Sequence, residues 1–381
     1  MRPFIDYYGA QNISPVAQDI SDLNRHFERR ASLYRSLRIP PLYVKERSVI
    51  EFGPGSGYNA LYTEHLGPRR YLLVDANPRG VEETRSLLRK TYPAAGNYEI
   101  AQTLIEEFAS PERFDLVLAE GLVPFQMDPA AFIRHIARSV DEGGILVVTC
   151  ADAPSIMGEI GRRLIAYRLV GTTAPDRERV QQLSPIFRHH LATLSGMSRS
   201  VEDWIYDNLL IPFVGKTFGI DEAIAALDAE FVLYGSSPEF IVDMRWYKQL
   251  YGEQRKFNEN ATGAYHQNML NFLDYRITVP AHDADLGTMI RDRCRQIYLT
   301  MQGIEASGGR RSAAEAVPLI RDVAKLAERS PRTARALEEL ASFLEIEPVC
   351  DPTGEALHEF ASYFGRGMQY LSFVRRDAKV R

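Results

Sequence analysis

Short apolar runs alternate with amphipathic stretches through the first 150 residues of the chain. The apolar runs predict five strands, at 48–52, 71–74, 98–100, 116–119 and 145–149. A helical period predicts helices between the strands, near 57–66, 79–91 and 129–139, with a turn at 143–144 before the fifth strand. Strands that alternate with helices pair in parallel through right-handed crossovers, so this half of the chain predicts an α/β fold.

Beyond Cys150 the alternation stops and long helical stretches take over. Residues 151–217 and 239–365 both read as mainly helical. Between them, a helix at 221–227 leads into a sixth strand at 230–234. A seventh apolar and aromatic run, Gln369–Arg375, follows a glycine turn and predicts a last strand near the end of the sequence.

The first predicted strand runs into a turn that is rich in glycine. Residues 49–60 read Val-Ile-Glu-Phe-Gly-Pro-Gly-Ser-Gly-Tyr-Asn-Ala, and the second strand ends on Asp75. Such a strand–turn–helix–strand unit closing on an acid is typical of nucleotide-binding folds, in which the acid accepts hydrogen bonds from ribose hydroxyls. No lysine follows the turn, which excludes a phosphate-binding P-loop, and Glu51 would repel a pyrophosphate.

The pattern Glu51-x-Gly53-x-Gly55-x-Gly57 resembles the first motif of the class I S-adenosylmethionine (SAM)-dependent methyltransferases. The resemblance covers about residues 45–150, and it implies SAM as cofactor and S-adenosylhomocysteine as product. It implies that the backbone at 53–57 faces the methionyl part of SAM, Glu51 its ammonium group and Asp75 its ribose. The cofactor-binding residues carried over by position are Tyr8, Arg30, Glu51, Gly53, Pro54, Gly55, Gly57, Asp75, Ala76, Asn77, Ile105, Glu106 and Glu120.

Some of these positions also have ordinary structural explanations. Ile105 would pack on the purine and Glu106 would accept from its amino group, but Glu106 is equally compatible with a solvated surface. The aromatic segment around Tyr8, together with Arg30, would fold over the cofactor as a lid, or pack against the edge of the sheet instead.

The resemblance also implies the fold: a Rossmann-like, mostly parallel seven-stranded sheet with an antiparallel last strand between the fifth and sixth, plus a mainly α-helical cap. The expected organisation is an N-terminal helical lid segment, a SAM-binding core, the first part of the cap, a core helix with the sixth strand, the second part of the cap and a final core strand. These segments correspond to 1–44, 45–150, 151–217, 218–238, 239–365 and 366–381. In the alternative, the last strand is the edge of a separate helical appendage.

Three residues are candidates for the chemistry. Glu120 follows the fourth strand, where a carboxylate can orient or deprotonate an acceptor, hold the ammonium group of SAM, or cap local structure. His189 and His266 lie in the helical stretches and are candidate bases, although a histidine in such a stretch is more often surface or core. Histidine and acidic residues do not occur at metal-ligand spacing, so no metal is expected.

Composition limits the partners. The net charge of −5 and the short basic patches argue against nucleic acid, because phosphate binding needs clustered Lys and Arg. The predicted helix at 24–37 has one apolar side and a mostly arginine-bearing opposite face. The sequence predicts neither a signal peptide nor a membrane span, and its three scattered cysteines favour reduced thiols in the cytoplasm.

These observations predict a methyltransferase acting on oxygen or nitrogen of a small or medium-sized acceptor, such as a sugar, lipid-linked or natural-product metabolite, with a homodimer possible. A large helical cap suits an enclosed acceptor pocket. The alternatives are a protein or peptide methyltransferase and a SAM-binding regulatory protein without turnover. An NAD-dependent oxidoreductase is disfavoured because the spacing at Gly57 departs from the dinucleotide fingerprint.

Overall fold

The computed structural model describes residues 20–195, 197, 199–213, 215–345 and 357–376. The chain divides into two compact units. A sheet unit consists of 1–150, 214–262 and 369–381, and a helical unit consists of 151–213 and 263–368. Residues 239–262, assigned by the sequence to the second helical stretch, therefore cluster with the sheet.

The sheet unit contains one seven-stranded sheet in the order β3-β2-β1-β4-β5-β7-β6. Its strands are β1 (Ser48–Phe52), β2 (Arg70–Asp75), β3 (Tyr98–Gln102), β4 (Phe114–Ala119), β5 (Val140–Cys150), β6 (Phe231–Ser237) and β7 (Gln369–Arg375). Strand β7 pairs antiparallel with both β5 and β6, whereas the other pairs are parallel. The predicted Rossmann-like sheet with an antiparallel last strand is confirmed, and β7 lies inside the sheet between β5 and β6.

The carboxyl ends of β1 to β6 lie at one edge of the sheet, because these six strands run in the same direction. The helices of this unit are α1 (Leu23–Ser36), α2 (Pro41–Val44), α3 (Tyr58–His65), α4 (Pro78–Thr91), α5 (Pro129–Ala137) and α9 (Ile220–Leu227). Every residue of β1 except Ser48 is buried, as expected of a central strand covered on both faces.

The start of β5 differs from the sequence prediction. The strand begins at Val140 and contains Gly143 and Gly144, which were expected to form a turn before it. The pairing of β4 with β5 shifts register between Phe114 and Leu116, and Gly143 has a φ of 71°. The two glycines therefore belong to an irregularity within the strand, a common place for glycine because the extra residue must bend the backbone.

The helical unit is built from two stretches of the chain. Its helices are α6 (Met157–Val170), α7 (Asp176–Ala192), α8 (Val201–Ile205), α11 (Met269–Leu273), α12 (Ala284–Ala306), α13 (Val317–Leu326), α14 (Pro331–Glu345) and α15 (His358–Ala361). Helix α10 (Phe257–Gln267) begins in the sheet unit and ends in the helical one.

A buried arginine ties the two stretches of the helical unit together. Arg162 of α6 is fully buried and donates to the carbonyl oxygens of Tyr363 at 2.8 Å and Ala361 at 3.0 Å. Its guanidinium lies 3.6 Å from the centre of the Phe364 ring. Burial lowers the pKa of Arg162 to about 9. The side chain satisfies backbone carbonyls at the end of α15 and just after it, and none of its hydrogen bonds among the described residues is to a carboxylate.

Candidate functional site

The glycine turn joins β1 to α3 at the carboxyl edge of the sheet. The amide of Gly53 donates to the carbonyl of Val74 at 2.8 Å, and the amide of Gly57 donates to the carbonyl of Pro54 at 2.9 Å. Gly57 has a φ of 81°, and a Cβ there would lie 2.8 Å from Oγ1 of Thr84 on α4. The same hydroxyl donates to the carbonyl of Gly55 at 2.8 Å. The turn is thus held close to α4, which leaves no room for a side chain at Gly57.

Asp75 ends β2 beside this turn. One carboxylate oxygen accepts from the amide of Gly55 at 3.1 Å, and the other accepts from the amide of Asn77 at 2.8 Å. Burial raises the pKa of Asp75, and the amides of Asn77, Gly55 and Ala76 act against that rise. These amides fix the carboxylate in direction, and each of its oxygens can accept more than one hydrogen bond, so Asp75 can still accept from hydroxyl groups of a ligand.

The residues after Asp75 build its surroundings. The Asn77 side chain accepts from the amide of Arg79 at 3.0 Å and so caps α4. The carbonyl of Asp75 accepts from the amide of Thr103 at 3.1 Å, which places the segment after β3 next to it. Ile105, half-buried in the short helix that follows, accepts at its carbonyl from Nε2 of His135 at 2.8 Å, while Glu106 is exposed. Among the described residues Glu106 makes no hydrogen bond or ion pair, so the purine contacts of Ile105 and Glu106 stay predictions.

Glu51 is buried in β1, and only 5% of its surface is exposed. The hydroxyl of Tyr71 on the neighbouring strand donates to its carboxylate. Burial raises the pKa of Glu51 to about 7, opposed by that hydrogen bond and increased by the charge of Glu120. A carboxyl group that favours protonation in this way is poised to lose its proton when a cation approaches.

Glu120 follows β4 at the same edge and is held by an arginine from α1. The guanidinium of Arg30 donates to both of its oxygens, at 2.8 and 2.6 Å, and Nδ2 of Asn59 donates to one of them at 3.2 Å. Burial acts to lower the pKa of Arg30, but the charge of Glu120 outweighs it and raises the pKa. Because both oxygens already accept strong donors, the geometry favours a binding or orienting role for Glu120 over proton abstraction.

Arg30 is itself 6% exposed and lies 5.3 Å from the centre of the Tyr34 ring. Its buried Nε has no hydrogen-bond partner among the described residues. On the same side of α1, Nε2 of His26 donates to the carbonyl of Tyr58 at 2.9 Å. Helix α1 is therefore fastened both to the residue that follows the glycine turn and to Glu120.

The other predicted site residues are not part of this group. His189 is exposed on α7, and His266 at the end of α10 lies 3.5 Å from Oγ1 of Thr288, both within the helical unit. Their catalytic roles stay predictions. Tyr8 lies outside the described residues.

The sequence reasoning missed two partners, Asn59 and Tyr71. Asn59 stands two residues after Gly57, on the first turn of α3, where a polar side chain can reach back to the site. Tyr71 is two residues ahead of Leu73, the register partner of Glu51, so its ring lies on the same face of the sheet as Glu51. Strand pairing, once known, identifies such a neighbour.

Residues 50–148 match a protein-family model described as a methyltransferase domain. The matched segment holds the glycine turn, Asp75 and Glu120. The chain contains a class I methyltransferase domain. The cofactor of this domain is SAM. No curated protein matches the chain.

Solved structures resemble the chain only in part. A putative methyltransferase from Thermoplasma acidophilum is 20% identical with a TM-score of 0.25, and the match covers 28% of this chain and 45% of that one. A magnesium protoporphyrin IX methyltransferase from Synechocystis PCC 6803 with bound SAM is 16% identical with a TM-score of 0.29, covering 33% and 59%. The N-methyltransferase NodS from Bradyrhizobium japonicum WM9 is 17% identical with a TM-score of 0.32, covering 55% and 84%. The chain thus spans about half the length of the first two, and overlaps this small carry no argument about substrate.

The residues around the glycine turn, including Arg30 of α1, fit SAM. Asp75 offers two fixed oxygens to a ribose diol, and Arg30 with Glu120 offers opposite charges to a zwitterionic amino-acid group. The unpartnered Nε of Arg30 is a buried donor that a carboxylate can satisfy. Within the described ranges, no three histidine, cysteine or acidic side chains lie together as metal ligands, and no helix has both the length and the apolar character to cross a bilayer.

Proposed function

We propose that the protein transfers a methyl group from SAM to an oxygen or nitrogen of a small or medium-sized organic acceptor. The observation that carries the cofactor half of this proposal is the arrangement of Asp75 and the Arg30–Glu120 pair around one glycine turn. When bound, SAM supplies an electrophilic methyl group and leaves as S-adenosylhomocysteine. The residues described above bind and orient it, and in-line positioning with exclusion of water provides much of the rate.

The roles of the residues follow from their charges. Asp75 would hold the ribose diol, and Arg30 would hold the methionyl carboxylate. Glu120, kept in place by Arg30 and Asn59, would accept from the methionyl ammonium. An amine or carboxylate acceptor needs no strong base, which agrees with a Glu120 whose oxygens are both occupied. A sugar, lipid-linked or natural-product acceptor remains the proposed class, with a peptide as the alternative.

Calorimetry with SAM and three related ligands tests these assignments separately. S-Adenosylhomocysteine has both the adenosine and the amino-acid group, whereas 5′-methylthioadenosine has the adenosine without the amino-acid group. NAD lacks the amino-acid group and is not expected to fit the site. We expect the wild type to bind SAM and S-adenosylhomocysteine and to bind NAD negligibly. Binding of NAD without SAM would refute the proposed function.

Variants then test the ribose-binding and the amino-acid-binding residues separately. Asp75→Asn should weaken both adenosine ligands by about 1–3 kcal/mol, the scale for losing a charged acceptor. The paired variant Arg30→Met with Glu120→Gln should weaken S-adenosylhomocysteine alone and leave 5′-methylthioadenosine unchanged. Equal losses for both ligands would show that the pair supports the fold rather than the amino-acid group. Release of S-adenosylhomocysteine that depends on added metabolite extract would separate an enzyme from a SAM-binding protein without turnover.

A further inference from the structure

An exposed aromatic loop follows β6 in the sheet unit. Within ten residues, Val242, Met244, Trp246, Tyr247 and Tyr251 are 81, 89, 59, 72 and 73% exposed. A single exposed apolar residue is common on protein surfaces, but five within ten residues indicate a surface that binds a partner or a membrane.

The loop has a defined local structure. Val242, Met244 and Trp246 alternate with Asp243 and Arg245, and the Arg245 guanidinium donates to the Asp243 carboxylate at 2.8 and 2.6 Å. The same guanidinium donates to the carbonyl of Gln254 at 2.6 Å, which ties the two arms of the loop together. The polar side chains between the apolar ones are therefore engaged with the loop itself, and the apolar ones point to solvent.

A groove of about 550 Å³ lies at the end of β6, the strand that precedes this loop. Its walls are Ser237, the last residue of β6, and the exposed face of α1, which contributes Arg25, Glu28, Arg29, Ser32, Leu33 and Ser36. Close by, the guanidinium of Arg38 lies 5.7 Å from the centre of the Tyr234 ring on β6. The arginine face of the first helix, which the methyltransferase site does not use, thus lies beside the end of β6, five residues before the aromatic loop in the sequence.

The charge of this region opposes that of the whole chain. Residues 242–256 hold four basic and two acidic side chains, of which Arg245 is paired with Asp243 and Lys256 with Glu259 just beyond this range. The groove adds Arg25 and Arg29 against Glu28. The chain as a whole carries −5. A locally basic surface on an acidic protein complements an anionic partner.

We propose that the aromatic loop 242–251 and the arginine face of α1, together called the docking surface, bind the headgroup region of an anionic lipid bilayer. Trp and Tyr favour the membrane–water interface, exposed Val and Met reach the acyl boundary, and nearby arginines attract anionic headgroups. Nucleic acid accounts for the arginines and aromatic rings but leaves Val242 and Met244 without a partner. Docking would bring the carboxyl edge of the sheet beside the lipid and would select a lipid-linked acceptor, a step that rests on the proposed function.

The two tryptophans of the chain make the test direct. Trp204 is 5% exposed, whereas Trp246 is 59% exposed, so emission changes on vesicle addition report on Trp246. Vesicles of phosphatidylcholine with phosphatidylglycerol should shift the emission to shorter wavelength and protect it from iodide, and vesicles of phosphatidylcholine alone should do so much less. Trp246→Phe should abolish the shift. The full chain is used without cofactor, so a failure of SAM binding does not affect the readout.

Sedimentation with vesicles then measures how much the arginines and the exposed apolar residues each contribute to vesicle binding. Arg25→Glu with Arg29→Glu should lower partitioning by at least 25-fold, at about fivefold for each arginine near an anionic surface. The matched control is Arg310→Glu with Arg329→Glu, two exposed arginines of the helical unit, which should leave partitioning unchanged. Val242→Ser with Met244→Ser should weaken partitioning at least tenfold, and Met289→Ser with Leu299→Ser, exposed on α12, should not.

Three results would overturn the proposal. The wild type could remain in the supernatant with anionic vesicles. A DNA oligonucleotide could bind in place of vesicles and be lost in the Arg25 and Arg29 variant, which would make the surface a nucleic-acid site. Sedimentation velocity could show a dimer that Val242→Ser with Met244→Ser dissociates, which would make it an interface between copies.

Discussion

The buried carboxyl of Glu51 makes the stability of the protein depend on pH in a predictable direction. Its pKa is raised by burial from 4.5 to about 7, and only 5% of its surface is exposed. A raised pKa means that the folded state binds the proton more tightly than the unfolded state. The stabilising contribution is therefore complete below about pH 4.5 and is lost as pH rises through about 7.

The size of the effect follows from the shift. A difference of about 2.5 pKa units, at about 1.4 kcal/mol for each unit, corresponds to about 3 kcal/mol between the two ends of this window. Glu51→Gln keeps an acceptor for the Tyr71 hydroxyl and cannot ionise. The free energy of unfolding of this variant, relative to the wild type, should rise by about 2–3 kcal/mol between about pH 5 and pH 8.

Urea denaturation at several pH values measures this difference. The control is Glu82→Gln on α4, whose side chain is 71% exposed and should follow the wild type at every pH. A constant difference between Glu51→Gln and the wild type across the window would refute the reasoning, because it would mean that Glu51 does not titrate there. In calorimetry, uptake of SAM near pH 7 with release of a proton from the wild type but not from Glu51→Gln would show that the positive charge of the cofactor comes close to Glu51.

Three further changes test the fold that supports the site. Gly57→Ala should lower the free energy of unfolding by about 1–3 kcal/mol, because alanine is strained in the left-handed backbone conformation and its Cβ would meet Thr84. Denaturation measures this loss, and an unchanged midpoint would contradict the close approach of Thr84 to Gly57. Arg162→Met should destabilise by about 1–3 kcal/mol for each buried carbonyl that it leaves unpaired, read from the denaturation midpoint; a neutral result would mean that those carbonyls find other donors. Truncation after Tyr247 removes β7 and should give aggregated protein. Replacement of 263–368 by a flexible linker should instead keep a soluble chain that binds SAM. A soluble truncated fragment that binds SAM would refute the role of β7.

The sequence predicted those features of the structure that depend on residues close together in the chain. Strands β1 and β7 were predicted with their observed bounds, and Asp75 and the glycine turn lie where the motif put them. These are local patterns of apolar spacing and turn residues. The bidentate contact between Arg30 and Glu120 joins residues from α1 and the end of β4, and no periodicity indicates which of many arginines meets which acid.

The same limit explains the assignment of 239–262. Its composition resembles that of the helical stretch that follows, so the sequence placed it there. The structure instead joins it to the sheet, where Oδ1 of Asn258 accepts from the amide of Leu233 at 2.9 Å and its Nδ2 donates to the carbonyl of Phe231 at 3.0 Å. This side chain is one of the contacts that join the segment to β6, and composition does not reveal such a contact.

Chain order adds a constraint on how the site can form. Strand β7 completes the sheet by pairing with β5 on one side and β6 on the other, yet it comes after both stretches of the helical unit. Until β7 is in place, β5 and β6 each present an unpaired edge, and β6 has no neighbour in the sheet. The glycine turn, Asp75 and Glu120 lie at the ends of β1, β2 and β4, and side chains from α1, α3 and α4 contact this group. We therefore expect the cofactor-binding residues to come together when the parallel strands β1 to β4 pair. We expect this arrangement to become stable only when β7 has joined the sheet.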